Sequence, residues 1–581
     1  MTSPLFAVVS SAFFKKGTRV SPLLIFPMKS LLLALSTLFL AATAHAQWQS
    51  TTYTLKGGWN SIYLHGDASH ATPDQLFAAH PEVLEVWRWN PNPTQVQFTT
   101  SPLIPSAGTA EWSKWVRGGS SNSLGQLIGQ TAYLVKCSGA ASSSYSVIIP
   151  QKVLPPSATW VRNGANLMGF PSKLNGSIYP TMGSYFATFP AAIASNVKIY
   201  KYVGGDLGPG NPLQVFSTSS ERLDRNQAYW FDSKVVGDFY APIEISLSNG
   251  SGIDFGRTGS TVTVRLLNRS STVSTVTIAP VASANAPTGQ EGITAAVPIT
   301  RRTFNASTAS WTETPISTAY TEVVGANATV ELSFGIDRAA MTGSSNAFYA
   351  SLLRLTDSAN LYDISLPVTA RKASLAGLWI GEASVGGVQS KVPGFTDTAT
   401  PQGYPLRYLI HVDDAGTARV LSQVFLGKLA GETLQDGITP LESNLSTADK
   451  ASARRIVAAH LPLDRVLATT GSFAVGSSLS CTIATPFNDP VSPFVHQYHP
   501  DHDNKSGSTA LVSGQESYDI SRAVTFTLAA TPPEGVSPIG YGGSVIAGTY
   551  AEVISGLHKE SITVTGNFSL QRVSEIGTLT Q

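Results

Sequence analysis

The chain has 581 residues, 13% of them charged, with 50 Gly and 35 Pro; ordinary globular domains carry about 25% charged residues. Its formal charge of +1, from 38 bases and 37 acids, excludes the concentrated basic face that a nucleic-acid partner requires. A charge-poor chain rich in Gly, Pro, Ser, Thr and Val favours many short strands joined by tight turns, so the expected class is mainly β.

Residues 28–46 read as a secretory signal peptide. Lys29 supplies the positive start, residues 30–42 an apolar stretch, and Ala44-His45-Ala46 an A-x-A cleavage site. That stretch is short of the roughly 20 apolar residues a membrane-spanning helix needs. Residues 1–27 hold Lys15, Lys16 and Arg19 without a core pattern; translation beginning at Met28, or an extended leader, accounts for them. The mature chain is then expected to start at Gln47, without a transmembrane segment, in the extracellular space, on the cell surface or in the periplasm. Cleavage removes four bases and no acids, leaving 34 against 37, or −3.

Cys137 and Cys481 are the chain's two cysteines. They are too few and too far apart for a disulfide framework, and read as two small buried hydrophobes. Stability must come from several hydrophobic cores, and the length suggests three to five domains.

Residues 48–150 and 155–240 carry a degenerate repeat. Four blocks recur in order: Gly57–Leu64 with Asn163–Phe170, Val86–Trp89 with Ile199–Tyr202, Gln95–Phe98 with Gln214–Phe216, and Gln130–Val135 with Asn226–Phe231. Each block alternates or forms an apolar run bounded by turn residues, so two copies of one β-module are expected. The opening Gly58-Trp59-Asn60-Ser61-Ile62-Tyr63-Leu64 resembles the GWN-type start of modules found in multi-domain secreted bacterial proteins with no assigned activity. The resemblance implies an extracellular β-module and brings no catalytic residues with it.

Residues 241–372 change texture. Ile243–Leu247, Thr261–Leu266, Ser274–Ile278, Ala328–Ser333 and Leu361–Val368 are short alternating runs, expected as a β-sandwich of immunoglobulin-like size. Residues 375–581 open with Gly377-Leu378-Trp379. Seven alternating runs follow, at 406–411, 418–424, 472–475, 479–483, 523–528, 548–554 and 562–570, with one capped Ala-rich helix at 446–460. The G-x-W opening and the meander resemble a calycin-type up-and-down barrel, and the region also resembles modules of large secreted bacterial proteins of unassigned chemistry.

Two groups of side chains are candidates for function. His496, His499, His502, Asp501 and Asp503 fall within eight residues. Imidazole with carboxylate suits zinc, manganese or iron(II), while carboxylates with the amide of Asn504 suit calcium. The spacing is neither an EF-hand nor an H-E-x-x-H helix, and a self-bonded polar loop is the competing reading. The second group is aromatic. Six of the ten tryptophans precede residue 116; Trp87 and Trp89 share one strand face, as core or as a stacking surface, and Trp112 with Trp115 are the better binding candidates because the second copy lacks their segment. The expected function is a non-catalytic, secreted or cell-surface binding or structural protein for glycan, matrix or protein ligands. The alternatives are a metal-dependent enzyme in which the histidines meet acids such as Asp413 or Glu516, and a barrel carrier of an apolar ligand.

Overall fold

The computed structural model describes residues 47–90, 111–161, 164–233, 235–389, 404–425, 467–486, 519–556 and 561–579. The expected helix at 446–460 and the His/Asp group at 496–503 lie outside them. The described chain is mainly β, and none of its helices is long and apolar enough to cross a membrane.

The first module comprises β1 (Trp48–Lys56), β2 (Gly58–Leu64), β3 (Val83–Trp89), β4 (Trp112–Val116), β5 (Thr131–Cys137) and β6 (Ser144–Lys152). β1 and β6 form an antiparallel ribbon, and the other four form a sheet ordered β2-β5-β3-β4. β1 alternates as a half-buried strand should, with Tyr53 and Leu55 inward and Thr52 and Thr54 outward. β2 is buried along its whole length. One face, with Ile62 and Leu64, joins this module's core; the other, with Trp59 and Tyr63, packs on the next module.

The second module holds β7 (Gly164–Met168), β8 (Ile199–Lys201), β9 (Leu213–Val215) and β10 (Tyr229–Ser233), in the order β7-β10-β8-β9. Both sheets therefore run first, last, second, third. In each, a one-turn helix capped by a threonine follows the first strand: Thr72 caps Pro73–Leu76, and Thr181 caps Met182–Tyr185. The sequence reading missed these two turns, which are too short to show periodicity. Asn60 exchanges two amide hydrogen bonds with the backbone of Lys56, and Asn166 does the same with Val161. The hydroxyls of Tyr133 and Tyr229 likewise accept and donate within their own preceding loops.

Backbones of the two modules meet directly at Gly58, where Trp59 N–H donates to Gly205 O (2.8 Å) and Gly205 N–H to Gly57 O (2.7 Å). Gly58 has φ +84°, and a Cβ there would lie 2.3 Å from Gly205 O, so only glycine fits this position.

His65 sits at the same junction. Its Nε2 lies 2.7 Å from Arg225 O, so Nε2 carries the proton of a neutral ring. Burial and the Arg225 guanidinium hold its pKa down at about 3, against about 6.5 in an unfolded chain. The unfolded state therefore binds the extra proton between those values. Stability should hold above about pH 6.5 and fall below it, with roughly 3 kcal/mol from this residue lost by pH 4. His65→Gln keeps a donor for Arg225 O and should flatten that slope in urea melts at pH 7 and pH 4; an unchanged slope would assign it to other groups.

The sandwich follows, with β11 (Ile243–Leu247), β12 (Ile253–Asp254), β13 (Thr261–Asn268), β14 (Ser274–Ala282), β15 (Ile299–Asn305), β16 (Ser310–Pro315), β17 (Tyr320–Val324), β18 (Thr329–Ile336), β19 (Phe348–Asp357) and β20 (Asp363–Arg371). Two five-stranded sheets, β11-β13-β18-β15-β16 and β12-β20-β19-β14-β17, face each other. Their inward residues, among them Val264, Phe334, Ile278 and Leu353, share one buried cluster with Trp160, Phe170 and Phe231 of the second module.

The last domain is built from β21 (Gly377–Gln389), β22 (Tyr404–Val412), β23 (Ala418–Phe425), β24 (Leu467–Ala468), β25 (Thr470–Gly471), β26 (Ser478–Thr485), β27 (Ile520–Leu528), β28 (Val545–Ser555) and β29 (Ile562–Ser574). All pairs are antiparallel neighbours in sequence, and β29 returns to β21. β24 pairs with β23 and β25 with β26, and only Thr469 separates them, so the sheet is a nearly closed barrel. The expected strand at 472–475 is instead a turn, set between Gly471 (φ +91°) and Gly476 (φ +77°).

Trp379 of the G-x-W motif plugs one barrel end. Its Nε1 donates to Leu375 O (2.8 Å), and Arg572 lies 5.7 Å from its ring while donating to Ser374 O. Farther in, Tyr408, Phe526, Tyr550 and Phe568 pack against one another with centroids 4.9–5.9 Å apart.

Candidate ligand-binding face

The four tryptophans expected to bind are buried. Trp115 is 1% exposed in the first module's core, against Phe77, with Nε1 donating to Asp74 (3.0 Å). Trp87, Trp89 and Trp112 line the seam between modules. Trp89 stands opposite Trp112 in register, donates from Nε1 to Ala165 O (3.0 Å), and meets Trp230 edge-on at 5.5 Å. Shared strand parity does put Trp87 and Trp89 in one cluster. Trp112 and Trp115 are three residues apart, an odd spacing that sends them to opposite faces of β4. Neither can form the exposed platform the sequence suggested, because the second module covers Trp112 and the module core encloses Trp115.

Metal-site expectations gain nothing from the described residues, which contain no group of three His, Cys, Asp or Glu arranged to hold an ion. His496, His499, Asp501, His502, Asp503 and Glu516 all lie outside them. Asp413 turns the chain between β22 and β23, accepting from Ala415 and Thr417 N–H, bonds that hold its carboxyl below the usual range. Cys137 and Cys481 are free, buried thiols, with pKa pushed up by burial to about 12 and about 11. They are packed hydrophobes, poorly disposed to ionise.

An exposed aromatic pair among the described residues lies on the hairpin of β15 and β16, at the edge of a sandwich sheet. Register sets Phe304 opposite Trp311 and Arg302 opposite Glu313. Because these positions share parity, all four side chains rise on the sheet's outer face. Phe304 is 52% and Trp311 48% exposed, with their rings 5.3 Å apart. Arg302 lies 4.5 Å from the Trp311 ring and 3.1 Å from Glu313, whose other oxygen accepts from Thr300 (2.9 Å). The outer face continues through Ser333 to the Arg265–Glu331 pair (2.7 Å). On the opposite side of β15, Arg301 pairs with Glu322 and covers Tyr320. An open groove of about 580 Å³ runs along this rim.

Chemically, the face offers two aromatic surfaces beside a carboxylate and a guanidinium already held in place. The sequence reading passed over it because 299–315 alternates polar with polar and gives no hydrophobic period. The signal was there in another form, as Arg302-x-Phe304 and Trp311-x-Glu313 arranged symmetrically about a Ser/Thr/Ala turn. No known family model matches the chain, and no characterised protein is significantly similar to it.

Proposed function

We propose that this is an exported, multi-module binding protein whose sandwich presents a glycan-stacking face on the β15–β16 hairpin. The observation that carries the reading is the exposed Phe304–Trp311 pair flanked by the Arg302–Glu313 ion pair. Apolar faces of sugar rings stack on indole and phenyl surfaces, and the Arg302–Glu313 pair, only 9% exposed on each side, holds the Trp311 ring in place beneath such a stack. Because the charges on this face are paired, neutral sugars suit it better than acidic ones.

Export rests on the signal-peptide pattern at 28–46. The shared sheet order, the Asn60/Asn166 amide pairs and the Tyr133/Tyr229 loop bonds support reading residues 48–150 and 155–240 as two copies of one module. In this account the modules and the barrel are a rigid support for the face.

Retention of the mature chain on insoluble cellulose, xylan and chitin tests the reading. Phe304→Ala with Trp311→Ala should reduce retention on the preferred polymer at least tenfold. The thermal midpoint should barely move, because surface changes are usually worth within about 0.5 kcal/mol. Retention on none of the three polymers, or equal retention of the double variant, contradicts it.

A further inference from the structure

We propose that the cleft between the first two modules binds a short extended peptide, which pairs with the outer edge of β1. β6 covers one edge of β1. Residues of even number turn their N–H and C=O to the other edge, as three contacts establish. Trp48 O accepts from Ala284 N–H (2.8 Å), Thr52 O accepts from the Asn226 amide (3.2 Å), and Lys56 exchanges both of its groups with Asn60 (2.8 and 2.7 Å). Thr54 has the same parity, so its N–H and C=O face the cleft.

Two asparagine amides thus stand where the peptide groups of a neighbouring strand would be. Asn60 mimics such a partner completely. Asn226 does so only by half: its buried Oδ1 has no hydrogen-bond donor. Between them, Thr52 to Lys56 is a stretch of roughly 13 Å, the length of four extended residues. The cleft above this stretch is open, about 450 Å³, and its far wall carries Tyr179, Lys201, Asp224 and Gln227.

A peptide fits this edge for a geometric reason. Thr54 presents one donor and one acceptor, side by side on a straight edge, and the complement is the N–H and C=O of a single extended residue. Exposed edges are ordinarily blocked by bulges, charges or covering segments. Here the edge is filled at both ends and open in the middle. Side chains of the bound segment that point to the far wall meet the Tyr179 hydroxyl and the Asp224 carboxyl, which favours a hydroxyl or cationic side chain there.

The test uses the mature full chain and an array of acetylated, amidated tetrapeptides drawn from Thr, Val, Ile, Tyr, Ser and Lys. The tightest-bound sequence is then resynthesised with one amide N-methylated at a time. A peptide should be retained, the methyl group at the residue facing Thr54 should weaken it at least tenfold, and hydrogen exchange should slow in the β1 fragment carrying Thr54. The chemistry is altered in the ligand, so no variant has to fold. Failure of every tetrapeptide to exceed its fully N-methylated control, protection outside residues 48–60, or displacement of the peptide by cellopentaose would each overturn the proposal. The glycan face is tested separately, by the Trp311 variants.

Discussion

Replacing Glu552 with Ala should destabilise the protein by about 3–5 kcal/mol, the usual cost of removing one member of a buried ion pair. Arg522 and Glu552 project into the barrel with side chains 2% and 1% exposed and are directly bonded. Tyr550 donates to the second Glu552 oxygen (2.6 Å) and meets the Tyr408 hydroxyl at 2.7 Å. Removing the carboxylate takes the directly bonded counter-charge from the buried Arg522 guanidinium and one hydrogen-bond acceptor from the Tyr550 hydroxyl. The double change Arg522→Met with Glu552→Leu should recover most of the loss, since paired apolar replacements of buried ions are often neutral. Urea melts of the three variants check this; a Glu552→Ala cost under 1 kcal/mol would mean that water reaches the pair.

A second large effect is expected at the module seam. Trp112 is 7% exposed and lies within 6.3 Å of the rings of Trp87, Trp89 and Trp230. Trp112→Ala should cost about 3–5 kcal/mol, as large aromatic deletions from cores do. The same change at Trp311 should cost almost nothing. Thermal melts of the two variants side by side separate seam from surface. A Trp112→Ala protein with an unchanged midpoint and lost polysaccharide retention would return the binding role to the first module.

Much of the fold was legible because burial writes itself into strand alternation. The runs at 243–247, 261–266, 479–483 and 562–570 fall on strands β11, β13, β26 and β29. Asn60 and Tyr133 were visible as repeated letters, although their reasons, an amide closing a hairpin and a hydroxyl tying down a loop, became visible only in three dimensions. Trp112 and Trp115 were misread because aromatic density marks cores and interfaces within a chain as readily as ligand surfaces. Nothing local in the sequence announces that a second module will cover one strand face. The hairpin at Phe304 and Trp311 was missed for the converse reason: an edge strand with both faces polar carries no hydrophobic period to detect.

Ligand contact is expected on the outer sandwich face. A photo-reactive derivative of the oligosaccharide best retained by the mature protein, cross-linked and mapped by peptide mass analysis, tests it most directly. Labelling should concentrate on residues 300–315 and 331–333 and disappear in the Phe304→Ala, Trp311→Ala variant. Labelling concentrated in the barrel or in residues 48–240, and unaffected by that variant, would place the binding site away from the β15–β16 hairpin.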